Sequence, residues 1–197
     1  MEKRIETVLD FLKEIEKFKH VERKNYKTND AQENDAEHSW HLAMFLILFE
    51  KELPEDADMT KMLKLALMHD LCELYAGDTC AFDDEGHKNK YDRELESAKK
   101  LFSQLPDDLN QEFMDLFDEY EHSTTKEAKI VKSFDKMQPL LQNMAVGGIG
   151  WRKNNITIEM VDNYKRKHMQ HDPVVFNIYK TLLEQARDQM ITMSKKD

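Results

Sequence analysis

With 197 residues, the chain falls in the usual size range of one domain and is long enough to bury a core that supports a catalytic pocket. Five Gly and four Pro are few for that length, and Leu, Met, Lys, Glu and Ala are abundant, so an all-α fold is expected. A formal charge of -10 argues against a long nucleic-acid partner and requires any small anionic substrate to be met by a local cluster of cations or a metal.

Ile5, Val8, Leu9, Phe11, Leu12, Ile15 and Phe18 recur at three- and four-residue intervals, which predicts an amphipathic helix over about 2–20. A polar connection follows over 21–33. Asn34 and Glu37 have the spacing of a capping box and open a second helix to about 52, apolar on every face from His41 to Phe49 and therefore central. After Pro54, a buried helix is predicted from about 58–60 to Leu74. Gly77 and the string Asp83 to Gly86 mark a loop, before charged helices over about 87–104 and Pro106 to Tyr120. Thr124 and Glu127 suggest another capping box, opening a helix to Gly147-Gly148 with a kink at Pro139. Helices over about 157–169 and 173–194 complete one domain with no internal repeat.

Cys72 and Cys80 form no paired spacing, and Cys72 lies in an apolar stretch, which fits a reducing, cytoplasmic setting. The charged start, Met1 to Glu6, has no signal core, and no apolar run approaches the roughly 20 residues of a membrane span. A soluble protein without a membrane partner is expected.

The segment Leu65 to Leu74 carries His69, Asp70 and Glu73 inside an otherwise apolar helix, where all three reach one side. Burying an imidazole and carboxylates requires compensation, and a divalent metal supplies it; a buried salt bridge is the plainer alternative. His171-Asp172 is a second such pair, but Asp172 precedes Pro173 and reads as a helix N-cap. Further ligands are available at the start of the second helix, where His38 and His41 are both candidates, and at Asp135, the acid that interrupts the stripe Ile130, Val131, Phe134 and Met137. Two imidazoles and two carboxylates suit Mn, Fe, Co, Ni or Zn, and open positions make such a site catalytic.

The order His38, His69-Asp70, Asp135 resembles the H...HD...D signature of HD-domain metal-dependent phosphohydrolases. Glu33-x-x-x-Glu-His38, His69-Asp70-x-x-Glu73 and Glu73-x-x-x-Gly77-Asp78 are similar to the 5'-deoxynucleotidase branch, over about residues 5–150. The resemblance implies a helical bundle of about seven to eight helices, with the metal site in about 20–140 and further helices after 150. It implies a metal on His38, His69, Asp70 and Asp135, catalytic roles for Glu73 and Asp78, and substrate contacts at Arg23, Lys24, Asp78 and Thr79. Arg23 occupies the family's phosphate-holding position; Lys24 stands where some members carry tryptophan, leaving ribose and deoxyribose both open. Glu73 would orient or deprotonate water, Asp78 would hold a sugar hydroxyl, and together they offer a second, weaker hard-cation site. Lys27 and Lys90 read as solvated surface residues, and no catalytic motif follows Gly150.

The expected function is hydrolysis of nucleoside (deoxy)ribonucleoside 5'-monophosphates to nucleoside and phosphate. The alternatives are hydrolysis of another small phosphate ester or nucleotide, and a non-catalytic nucleotide-binding regulator. A homodimer is expected, because the family often forms one and the helices after 105 carry more apolar residues than one core needs.

Overall fold

The computed structural model describes residues 1–81 and 83–193, and helices make nearly all of its regular structure, as composition predicts. In chain order, α1 (Glu2–Glu14) runs into a 3-10 turn (Ile15–His20), followed by a hairpin of β1 (Glu22–Tyr26) and β2 (Gln32–Asn34). Helices α2 (Asp35–Leu48), α3 (Met59–Met68), α4 (Glu73–Ala76), α5 (Asp84–His87), α6 (Lys90–Phe102) and α7 (Asp107–His122) lead to α8 (Lys126–Ala145). Then come α9 (Ile149–Lys153), α10 (Ile158–Lys165) with a 3-10 turn at Arg166–His168, and α11 (Pro173–Met193). Eight of these helices have eight residues or more, in line with the bundle expected; α4, α5 and α9 are about one turn each. The expected end of the last helix, residue 194, lies outside the described residues.

Local chemistry sets the helix starts. The Asn34 side chain accepts from Glu37 N at 2.9 Å while Glu37 Oε2 accepts from Asn34 N at 3.0 Å, which is the capping box read from the sequence. Asp172 Oδ1 accepts from Val174 N and Val175 N at 2.8 and 3.0 Å, so the second His-Asp pair does cap a helix. The cap of α8 is Thr125, not Thr124: its Oγ1 accepts from Ala128 N at 3.2 Å.

The polar connection over 21–33 is a hairpin. Lys27 N bonds Ala31 O at 2.7 Å, and Asp30 turns the chain with a positive φ of 63°. Between the partners Glu22↔Asn34 and Tyr26↔Gln32, β1 carries more residues than β2, so it bulges. A bulge re-aims side chains, and Arg23 lies in this one.

Helices α2, α3 and α8 are mutual neighbours and form the centre. Leu42, Leu46, Met62, Leu65, Ile130, Phe134 and Met137 are fully buried between them. Each such side chain contributes roughly 1.5–3 kcal/mol relative to exposure. Although α2 is central, it is not enclosed on every side: Trp40, Ile47 and Leu48 are exposed. Helix α11 packs on α8, and Ser133 Oγ donates to His168 O at 2.7 Å and lies 2.8 Å from His171 Nε2. That contact pins the C-terminal segment beside the middle of α8.

Candidate active site

Three central elements deliver the polar residues. His38 lies in the first turn of α2, Asp135 in the middle of α8, and His69 immediately after α3. The expected continuous helix to Leu74 does not form. It ends at Met68, and the chain tightens through Leu71 N to Met68 O at 3.0 Å and Glu73 N to Asp70 O at 2.8 Å. These three-residue bonds replace four-residue ones, as in a 3-10 turn, so His69 and Asp70 sit at a break between α3 and α4.

His38 Nε2 lies 3.1 Å from Asp135 Oδ1 and 3.8 Å from Asp70 Oδ2; His69 Nε2 lies 3.0 Å from Asp70 Oδ2 and 3.9 Å from Asp135 Oδ1. One ligand atom each from His38, His69 and Asp135 lie within 4.8 Å of one another. Asp70 adjoins this set, but its Oδ2 also accepts from Arg23 Nη1 at 2.9 Å. The other ring nitrogens decide the tautomers. His38 Nδ1 meets Gln138 Oε1 at 2.8 Å and His69 Nδ1 meets Ala66 O at 3.0 Å, both oxygens that only accept. Gln138 Nε2 donates to Glu33 Oε1 at 2.7 Å, which fixes which end of the amide faces His38. Both Nδ1 atoms therefore carry the proton in the neutral rings, and both Nε2 lone pairs face the two carboxylates. His69 Nε2 is buried and makes no hydrogen bond of acceptable geometry. A cluster of electron-pair donors with no proton between them fits a divalent cation, and the Gln138 and Ala66 contacts are the outer support that metal-bound histidines use.

Without a cation, the imidazoles themselves take up the positive charge the acids call for. Burial works to raise the Asp70 carboxyl, but His69, Arg23 and His38 hold it below the ordinary range. Burial likewise opposes ionisation of Asp135, and Lys136 at 2.9 Å, then His38 and His69, hold it well below that range. Burial favours the neutral His69 ring, but Asp70 and Asp135 more than offset it and raise its pKa. Tyr120 OH donates to Asp135 Oδ2 at 2.9 Å and orients it.

Beside this set stands a second one. Carboxylate oxygens of Asp35, Glu73 and Asp78 also lie within 4.8 Å of one another. Burial and then Asp70 push Asp35 up to about 7, and burial, Asp70 and Asp35 push Glu73 well above its usual value. Burial raises Asp78 as well, against the pull of Arg23. Arg23 Nη1 is 3.0 Å from Asp35, 2.9 Å from Asp70 and 3.9 Å from Asp78, and its Nε is 3.7 Å from Glu33. The bulge thus inserts one guanidinium among four acids.

Both sets open into a cavity of about 1220 Å³. Arg23, Lys24, His69, Asp70, Glu73, Asp78, Thr79 and Asp135 all line it, so the structure gathers these sequence-predicted residues on one cavity, with His38 sealed behind them. Thr79 Oγ1 is pinned by Arg93 Nη2 at 3.1 Å. His41 stands one turn further on and meets Gln138 Nε2 at 3.2 Å, which leaves His38 as the inward histidine. Lys27 pairs with Glu37 at 2.7 Å, away from the cavity lining. Lys90 is no simple surface residue: it lines the cavity 3.1 Å from Glu94 and 3.6 Å from Glu73. Sequence reading missed Asp35, although it precedes His38 by three and so shares its helix face. It also missed Gln138, three after Asp135 on α8. The segment after Gly150 was read as silent, yet Trp151, Lys165 and His168 line the cavity.

Comparison with known proteins matches this geometry. A family model described as an HD domain matches residues 15–174. The 5'-deoxynucleotidase HDDC2 of Xenopus laevis is 33% identical over 139 residues, covering 69% of this chain and 67% of the relative. The Homo sapiens protein of the same name is 32% identical, covering 69% and 66%. The chain thus spans about two thirds of the length of these curated relatives. A crystal structure from Magnetospirillum magnetotacticum, named a predicted metal-dependent phosphohydrolase, superposes with a TM-score of 0.84 at 31% identity, over 94% of this chain and 96% of that one.

Proposed function

The chain belongs to the HD-domain family, and from that premise we propose that it is a divalent-metal-dependent phosphohydrolase releasing phosphate from nucleoside 5'-monophosphates. The observation that carries this reading is the donor set: two inward imidazole lone pairs and two carboxylates, compensated by Arg23 and Lys136, at the floor of a cavity large enough for a whole nucleotide. The substrate class rests on the relatives named 5'-deoxynucleotidase.

In this reading His38, His69, Asp70 and Asp135 hold one cation, and the mixed nitrogen and oxygen donors suit Mn, Fe, Co, Ni or Zn. A divalent cation there supplies a Lewis acid that polarises the phosphate and makes water acidic near neutral pH. Glu73, whose carboxyl is held high by burial and its acidic neighbours, would be the group at the rim of the donor set that accepts a proton from the attacking water. Arg23 turns part of its guanidinium from the acids to the phosphate, in the forked geometry a lysine lacks. Lys24, Asp78 and Thr79 face the sugar. Asp35, Glu73 and Asp78 together support a second, weaker hard-cation position.

The test is phosphate release after chelation and reloading with each metal in turn, over ribo- and deoxynucleoside monophosphates and simple phosphate esters. Stripped protein is expected to be inactive and reloaded protein to prefer nucleoside monophosphates. Turnover of simple esters alone would remove the nucleotide from the reading, and no turnover with any metal would leave a nucleotide-binding regulator.

We further read residues 1–197 as one HD domain, supported by a core that extends from Phe11 in α1 to Ala186 in α11. A cytoplasmic location is supported by the free cysteines Cys72 and Cys80; no described helix is long and apolar enough to cross a membrane. A homodimer also belongs to this reading. Ile5, Leu9 and Leu12 on α1, and Trp40, Ile47, Leu48 and Leu67 on α2 and α3, are exposed apolar side chains, and after residue 105 Met160 and Val174 are exposed as well. Sedimentation at micromolar concentration is expected to give twice the chain mass, and a stable monomer would refute it.

A further inference from the structure

One part of the cavity wall is basic. Lys132, Lys136, Lys165, Lys167 and His168 line it, supplied by α8 and by the segment that Ser133 ties to α8. Two of these ammonium groups already have partners. Lys132 Nζ donates to Tyr120 O at 3.2 Å and Glu121 O at 3.0 Å, and Lys136 Nζ lies 2.9 Å from Asp135 Oδ2.

Lys165 differs. The last residue of α10, it is 6% exposed. Among the described residues no carboxylate lies within 4.0 Å of its Nζ and it donates no hydrogen bond to the protein; the Tyr164 ring centroid stands 5.8 Å from it. Lys136, Asp135 and Arg23 line the same cavity and are near enough to act on its charge, so it stands toward the metal-binding end. A long cationic side chain normally reaches for water or an acid. Here it is held in a cavity wall without an acid and beside a second ammonium, an arrangement that an anion in the cavity would complete.

We propose that Lys165 is a substrate-binding residue: with Lys136 it holds oxygens of the phosphate dianion, in addition to Arg23. The inference rests on the functional reading above for the phosphomonoester and adds a second cationic arm from the C-terminal segment. Three cations around one dianion also meet the requirement set by the chain's net charge of -10. Burial and then Lys136 push the Lys165 amine down to about 7, the behaviour of an ammonium without a counter-ion.

The experiment compares wild type, Lys165→Met and Lys165→Arg, all metal-loaded. It measures KM and kcat on the best nucleoside monophosphate, inorganic phosphate binding by calorimetry, metal content and melting temperature. Lys165→Met is expected to raise KM and the phosphate Kd about 10- to 100-fold, with metal content retained and kcat changed less. Its melting temperature should hold or rise, because methionine fills the same volume without a buried charge. Lys165→Arg should recover part of the affinity. A Lys165→Met protein that binds phosphate within about twofold of wild type, or one that melts early and loses its metal, overturns the proposal. So does a wild type that binds no phosphate. Should the wild type hydrolyse no nucleotide, the functional reading falls, while the phosphate titration still decides on Lys165.

Discussion

Glu73→Ala is expected to keep the metal on His38, His69 and Asp135 and to lose about 100- to 10,000-fold in turnover, the usual range for a proton-handling carboxylate. Glu73 begins α4, just beyond the break that carries His69 and Asp70, so it borders the donor set without belonging to it. Its carboxyl is buried, has Asp70 and Asp35 as like-charged neighbours, and is only partly compensated by Lys90 and Arg23. That environment raises its pKa well above the usual value, the kind of perturbation expected of a carboxyl that handles a proton. The same crowding makes the variant informative about folding. Removing one of several buried like charges relieves repulsion, so the melting temperature should not fall by more than the small cavity explains. Glu73→Gln keeps the shape and should be nearly as impaired as alanine. Metal content, melting temperature and phosphate release are measured together. Near-normal turnover in either variant would remove Glu73 from the mechanism.

The parts of the site legible in the sequence are those written locally. The capping box at Asn34 fixes where α2 starts, and hence that His38 lies in its first turn. The apolar stripe of α8 makes Asp135 stand out as a buried acid. What the sequence does not display is set by contacts between distant segments. Leu71 and Cys72 continue the apolar pattern of α3, so nothing local announces that the helix stops at Met68 and tightens through His69 to Glu73. His38 and His41 are equivalent by composition; both meet Gln138, about a hundred residues away, and what separates them is that His38 Nε2 also reaches Asp135. Lys165 lacks any motif, because its meaning depends on Ser133 holding the C-terminal segment against α8. Arg23 was legible as a phosphate ligand through family likeness, while its place among four acids required the bulge of β1.

That place makes Arg23→Ala the other large effect, and a double one. Arg23 is 12% exposed, and it is the cation nearest Asp35 and Asp70, with Glu33 and Asp78 close by. Removing one partner of a buried ionic cluster leaves the others uncompensated, at a cost of about 3–5 kcal/mol. For a chain of this size that corresponds to a melting temperature lower by roughly 6–20 °C in the stripped protein. Metal-loaded protein should lose much less, because a cation at the adjacent donor set replaces part of the missing charge near Asp70. The melting deficit is therefore expected to shrink on adding metal, whereas KM for a nucleoside monophosphate should remain elevated at full occupancy. Arg23→Lys separates the two roles: it restores a positive charge among the acids, and with it most of the melting temperature. It cannot bridge two carboxylates and a phosphate with one fork, so its KM should stay high. A stripped Arg23→Ala protein that melts like wild type would mean that the acids share protons instead of relying on the guanidinium. An unchanged KM in the metal-loaded variant would leave Arg23 a structural clamp and shift phosphate recognition to Lys136 and Lys165.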